Sequence, residues 1–70
     1  MPYTDNMALP ASVRDHLPSH AQDIFRAAFN AAYSEHERDP RQEEAAFRIA
    51  WAAVKKHYHK RGDRWVPNDE

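Results

Sequence analysis

Seventy residues with 41% hydrophobic and 30% charged side chains describe one small soluble globular domain, not a disordered chain. The absence of cysteine excludes a disulfide framework, a thiolate zinc site and a thiol nucleophile, and a single glycine excludes glycine-rich phosphate loops. A formal net charge of -1 argues against a surface that is basic all over, and no apolar run approaches the roughly 18 residues a membrane span needs.

No signal peptide opens the chain, so a cytoplasmic protein without direct membrane insertion is expected. Residues 1–7 show no helical period and read as an irregular arm, with Tyr3 and Met7 as its anchors. Leu9, Val13 and Leu17 follow at four-residue steps, and Pro10 suits a first helical position. That spacing predicts a short helix over 10–17, ended by Pro18, because the residue before a proline avoids the α region.

Ser19 and Gln22 have the spacing of a capping box, opening a second helix over 19–38. Ala21, Ile24, Phe25, Ala28 and Phe29 give it an apolar face, with Asp23, Arg26, Asn30, Ser34 and Glu37 opposite. The tight connection Arg38-Asp39-Pro40 favours an antiparallel pair with the next helix.

The third helix is predicted over 40–61. Asp39 is placed to cap it, Pro40 to occupy its first position, and Gln42 stands three residues after the cap. Ala46, Phe47, Ala50, Trp51, Val54 and Tyr58 recur at i, i+3, i+4 steps as a broad apolar stripe. Lys55, Lys56, Lys60 and Arg61 suit the negative end of the helix dipole, and Gly62 reads as the stop. Trp65 and Val66 are costly to leave in water, so the C-terminal segment is expected to fold back. Its residues 64–66 are placed to pair with residues 2–4. The expected fold is therefore mainly α, one domain over 1–70: a short first helix, an antiparallel pair, and a minor two-stranded pairing of the termini.

Several ordered strings run through this pattern: Met1-Pro-Tyr3, Leu9-Pro10, Leu17-Pro-Ser-His-Ala-Gln-Asp-Ile24, Ala28-Phe-Asn30 and Ala50-Trp-Ala-Ala-Val-Lys55, with Glu43-Glu44, Tyr58 and Trp65. On these residues the chain resembles the ChaB family of cation transport regulators. The resemblance covers nearly the whole length. It implies a compact, mainly helical domain with a minor strand element, and a regulatory link to a membrane cation/proton antiporter, with no active residues to carry over. The connection Arg38-Asp39-Pro40 is shorter than in family members with a charged insert there.

Chemistry-bearing residues are sparse. His16 and His20 are separated by the helix-breaking Pro18, and residues 57 and 59 point roughly 200° apart on a helix, so neither pair offers a metal face. Ser19 has a capping duty, and the adjacent Glu43 and Glu44 diverge, so no catalytic set, metal or cofactor is expected and the chain reads as a non-enzyme. A domain this small also leaves little room for a ligand pocket of about 300 Å3.

Two surfaces remain. The first comprises His20, Asp23, Arg26 and Asn30 on the polar face of the second helix, together with Ile49 set off the stripe of the third. Its bland reading is a solvated face with one weak ion pair; its functional reading is a protein-recognition surface for the cytoplasmic part of the antiporter. The second is the basic segment Lys55, Lys56, Lys60, Arg61 and Arg64. It reads either as a solvated helix end or as a docking patch for an acidic protein loop or for nucleic acid, with Trp65 nearby to stack on a base if exposed.

Overall fold

The computed structural model describes residues 2–69, and its centre is a pair of antiparallel helices, α2 (Ser19–Glu35) and α3 (Gln42–His57). They form because each carries small and aromatic residues at one-turn spacing. In α2 Ala21, Phe25, Phe29 and Ala32 are all buried, and in α3 Ala46, Ala50 and Val54 are completely so. Alanine at these positions lets the two backbones approach, and rings fill what the methyl groups leave. Phe29 meets Phe47 edge-on at 5.0 Å, and Phe25 meets Trp51 at 5.2 Å with planes 74° apart. Such pairs contribute about 0.5–1.5 kcal/mol each beyond their burial. The antiparallel pair expected from the short connection is the one observed.

The short first helix, α1 (Ala11–Arg14), is a single turn, preceded by a 3-10 turn over Asn6–Ala8. It is shorter than the 10–17 predicted. Pro10 caps it from outside instead of occupying its first position, and residues 15–17 tighten as the amides of His16 and Leu17 both turn back to the Val13 carbonyl. Leu9, Val13 and Leu17 nevertheless reach the core together, all under 5% exposed.

Two helix starts differ from expectation in the same way. Ser19 makes no side-chain cap, and α2 follows directly on Pro18. Gln22 instead donates its amide to the carbonyls of Leu17, at 2.8 Å, and Arg14, at 3.2 Å, satisfying the end of the preceding segment. At α3, Asp39 accepts from the Arg41 amide at 2.8 Å, while Gln42 reaches across to the Tyr33 carbonyl at 2.6 Å. Both glutamines tie neighbouring elements together where a capping box would have tied only one. The helix itself begins at Gln42, after two turn residues, so Pro40 lies outside it.

The C-terminal end departs furthest. α3 stops at His57, and Tyr58 is already extended, with φ -134° and ψ 157°. Residues 58–61 form strand β1 (Tyr58–Arg61), which pairs antiparallel with β2 (Arg64–Pro67) in the register Tyr58↔Pro67, His59↔Val66, Lys60↔Trp65, Arg61↔Arg64. The two-stranded element is thus a local hairpin, and residues 2–4 are not part of it. Gly62 is not a helix stop but the first residue of the two-residue loop, at φ 68°. Positive φ confined to that position is the pattern of a type II′ turn, which matches the twist of the flanking strands.

Candidate functional site

The polar face of α2 has a structural duty that its sequence does not disclose. The N-terminal arm lies along it. The Asn30 side chain accepts from the Tyr3 amide at 3.2 Å and donates to the Tyr3 carbonyl at 2.9 Å, so one carboxamide satisfies both backbone groups of one residue. The ring of Tyr3 then rests on Phe29, 4.8 Å between centroids. Two turns earlier Asn6 donates to Asp23 at 2.6 Å, and between them Arg26 donates to the Thr4 carbonyl at 3.3 Å while facing Asp23 at 3.8 Å. Asn30 is only 6% exposed. Asn30 is therefore corrected as a partner-contacting residue, because it is buried; Asp23 and Arg26 hold the arm while remaining accessible at the surface.

His20 and Ile49, the other members of that predicted surface, remain exposed. His20 sits at the start of α2 with its ring 6.3 Å from that of Tyr58, and Ile49 on α3 is 39% exposed. Met7, expected to anchor the arm, is 75% exposed; it lies in the 3-10 turn, where Asp5 caps the Ala8 amide and the backbone, not the methionine, makes the contacts.

The basic segment is brought together, although not as a helix end. Lys55 and Lys56 close α3, Lys60 and Arg61 stand on β1, and Arg64 stands opposite Arg61 on β2. All five are exposed, and none has a carboxylate within 4.0 Å among the described residues. Two attachments hold the hairpin against α3. Trp65 packs on Trp51 at 5.7 Å, leaving both half-buried, which ends the idea of Trp65 as a free stacking platform. Asn68 donates to the Lys56 carbonyl at 2.9 Å, meets His59 Nδ1 at 3.0 Å, and uses its own amide on the His57 carbonyl at 2.9 Å. Sequence reasoning missed Asn68; a turn-type residue just after a proline was its only signal.

The remaining chemistry does not converge. Among the described residues there is no cluster of three groups able to hold a metal ion, and His16, His36 and His59 turn to local partners, His16 Nδ1 to the Ser12 carbonyl at 2.6 Å. The surface has depressions of about 270, 390 and 420 Å3, larger than the small size of the chain led us to expect, but all are open to solvent. Tyr3 has its phenol pushed above the ordinary value, first by burial and then by the negative charge of Glu43. No described helix is long and apolar enough to cross a membrane.

Comparison with known proteins agrees with this architecture. The ChaB family model matches residues 9–68. The chain is 46% identical to the "Putative cation transport regulator ChaB" of Escherichia coli K12 and equally to that of Shigella flexneri, with 93% of this chain and 95% of each relative covered. The solution structure of a protein described as the putative cation transport regulator ChaB superposes with a TM-score of 0.84 at 43% identity, covering 96% of this chain and 99% of the other. The helix pair with its C-terminal hairpin is thus shared along essentially the full length, and the chain belongs to the ChaB family.

Proposed function

We propose that this protein is a non-catalytic regulatory module that docks, on the cytoplasmic side, onto the soluble part of a membrane cation/proton antiporter. The observation that supports this reading is the near-full-length likeness to relatives named putative cation transport regulators. The geometry is compatible with it: the Asp23, Arg26 and Asn30 side chains of α2 serve the arm. What the chain presents outward is surface, namely Ile49 on α3 and the cationic hairpin.

Everted membrane vesicles carrying the antiporter provide the test. Adding the purified protein should change the rate of cation-driven proton movement, in a manner that saturates with its concentration. Unchanged exchange at saturating protein, together with no co-purification of the antiporter's cytoplasmic segments, refutes the proposal.

The rival reading is a nucleic-acid-binding module using residues 55–64, favoured by the clustering of Lys60, Arg61 and Arg64 on one hairpin. Such binding should fall steeply with salt as counterions are released. No mobility shift at micromolar protein and low salt eliminates it.

A further inference from the structure

The cations at the hairpin end need an explanation that the helix dipole no longer supplies. A solvated helix terminus accounts for Lys55 and Lys56, which close α3. It does not account for Lys60, Arg61 and Arg64, which lie beyond the helix on two strands. Arg61 and Arg64 stand directly opposite one another, and like charges so placed repel, which destabilises a hairpin. Among the described residues no carboxylate pairs with either. An external anion would relieve that repulsion.

Charge is also segregated along the molecule, whose longest extent is 38 Å. Lys55, Lys56, Lys60, Arg61 and Arg64 stand against Asp15, Asp63 and Asp69 at the hairpin end. About 24 Å of helix away, around the α2–α3 connection, Glu35, Glu37, Asp39, Glu43 and Glu44 stand against Arg38 and Arg41. A chain with a net charge of -1 is therefore strongly polarised.

We propose that the hairpin end is a docking surface for anionic lipid headgroups, and that the protein sits on a negatively charged membrane with its acidic end directed away from the lipid. The shape of this end selects a flat surface over a threaded polyanion. Lys60 shares a face of the hairpin with Trp65, and Arg61 and Arg64 share the other, so the cations surround the tip instead of lining one groove, while the depression beside it, lined by Leu17, Pro18, Trp65 and Arg64, also contains Asp15. The Asp15 carboxylate there repels the backbone of a nucleic acid or an acidic peptide entering the cleft, whereas a planar surface need not enter it; Asp63, in the loop itself, offsets part of the attraction. Attraction of this kind acts within about 8 Å at physiological salt, so the distant acidic end opposes it little, and contact through the cationic end sets the orientation. The proposal does not depend on an antiporter, since protein-free vesicles suffice to test it.

Co-sedimentation with vesicles of phosphatidylethanolamine and phosphatidylglycerol, against vesicles of phosphatidylcholine alone, reads the binding directly. The protein should bind the anionic vesicles only and be released at high salt. Each Lys or Arg near such a surface strengthens partitioning by about fivefold, so the combined K60Q, R61Q and R64Q variant should partition roughly a hundredfold more weakly. Circular dichroism checks that this variant keeps its helices, and the single variants R61Q and R64Q should each show an intermediate loss. Because the chain has no cysteine, a fluorophore placed by Asp63→Cys or Glu37→Cys reports orientation. A headgroup-bound quencher should dim the first and spare the second. Equal binding to neutral vesicles, wild-type binding by the folded triple variant, quenching at position 37, or a salt-sensitive shift of duplex DNA without vesicle binding would each overturn the proposal.

Discussion

Replacing Asn30 by alanine should be among the most damaging single changes of a polar residue in this protein. Its carboxamide makes two hydrogen bonds to Tyr3, at 3.2 and 2.9 Å, from a site only 6% exposed. A net contribution of about 0.5–1.5 kcal/mol for each bond gives about 1–3 kcal/mol in all. Release of the arm would also loosen the Tyr3 ring from Phe29, a contact of about 0.5–1.5 kcal/mol. A domain of this size typically holds only about 3–5 kcal/mol, so a third or more of its stability is at stake. At roughly 4–8 °C per kcal/mol, loss of the two hydrogen bonds alone in Asn30→Ala should lower the melting temperature by roughly 4–24 °C, measured by circular dichroism alongside urea titration. Asn30→Asp should be no better at neutral pH, because a carboxylate accepts from the Tyr3 amide but repels its carbonyl. Since both residues act through one arm, Tyr3→Ala should cost less in the Asn30→Ala background than in the wild type, by at least about 0.5 kcal/mol. An Asn30→Ala protein within about 0.3 kcal/mol of wild type, the resolution of additivity tests, would show that the arm does not stabilise the fold.

Ala50 is completely buried in the seam between α2 and α3, so Ala50→Leu should overpack it and cost about 1–3 kcal/mol in urea unfolding. Gly62 holds φ 68° with open space around the position of a Cβ, so Gly62→Ala meets no clash and only backbone strain, about 1–2 kcal/mol. For Tyr3 the sign is set by the raised pKa: the folded protein favours the neutral phenol over the phenolate. Its stabilising effect is complete below the ordinary value of 10.0 and is lost as the pH climbs through the higher folded value. Denaturation series across that range should show a fall in wild type that Tyr3→Phe reduces, and Glu43→Gln should move the tyrosinate transition back toward the ordinary value.

The helix pair was legible because it depends on local period. Phe25 and Phe29, or Ala46, Ala50 and Val54, announce a buried face through spacing alone, and that face is buried. The hairpin was not legible, because the run from Lys55 to Arg61 is compatible with both a helix end and a strand. It offers cations to the helix dipole, while Tyr-His-Lys-Arg carries too few apolar residues to show a strand's alternation. The decision between them is made from outside the run, by Trp65 resting on Trp51 and by Asn68 bonding to the last turn of α3. Asn30 failed for a related reason. Opposite the apolar stripe it reads as solvated, and only the arm, 27 residues away in sequence, buries it. Gln22 and Gln42 matched the capping box because spacing records which groups are near, while the structure shows carbonyls of neighbouring segments competing for the same amide hydrogens.

That correction changes where a regulatory contact can form. With Asp23, Arg26 and Asn30 occupied by the arm, a partner competing for them would first have to displace hydrogen bonds that already exist. The hairpin imposes no such competition, since its cations have no carboxylate partner among the described residues. It is also fixed in place: the ring contact between Trp51 and Trp65 and the two bonds of Asn68 to the Lys56 and His57 carbonyls hold the strands against α3. Backbone positions set in this way lose less entropy on binding than a frayed helix end carrying the same residues. The conversion of the last turn expected of α3 into a strand thus places Lys60, Arg61 and Arg64 on a braced tip, and it leaves Ile49, on the flank of α3, free for a protein contact that need not compete with the tip.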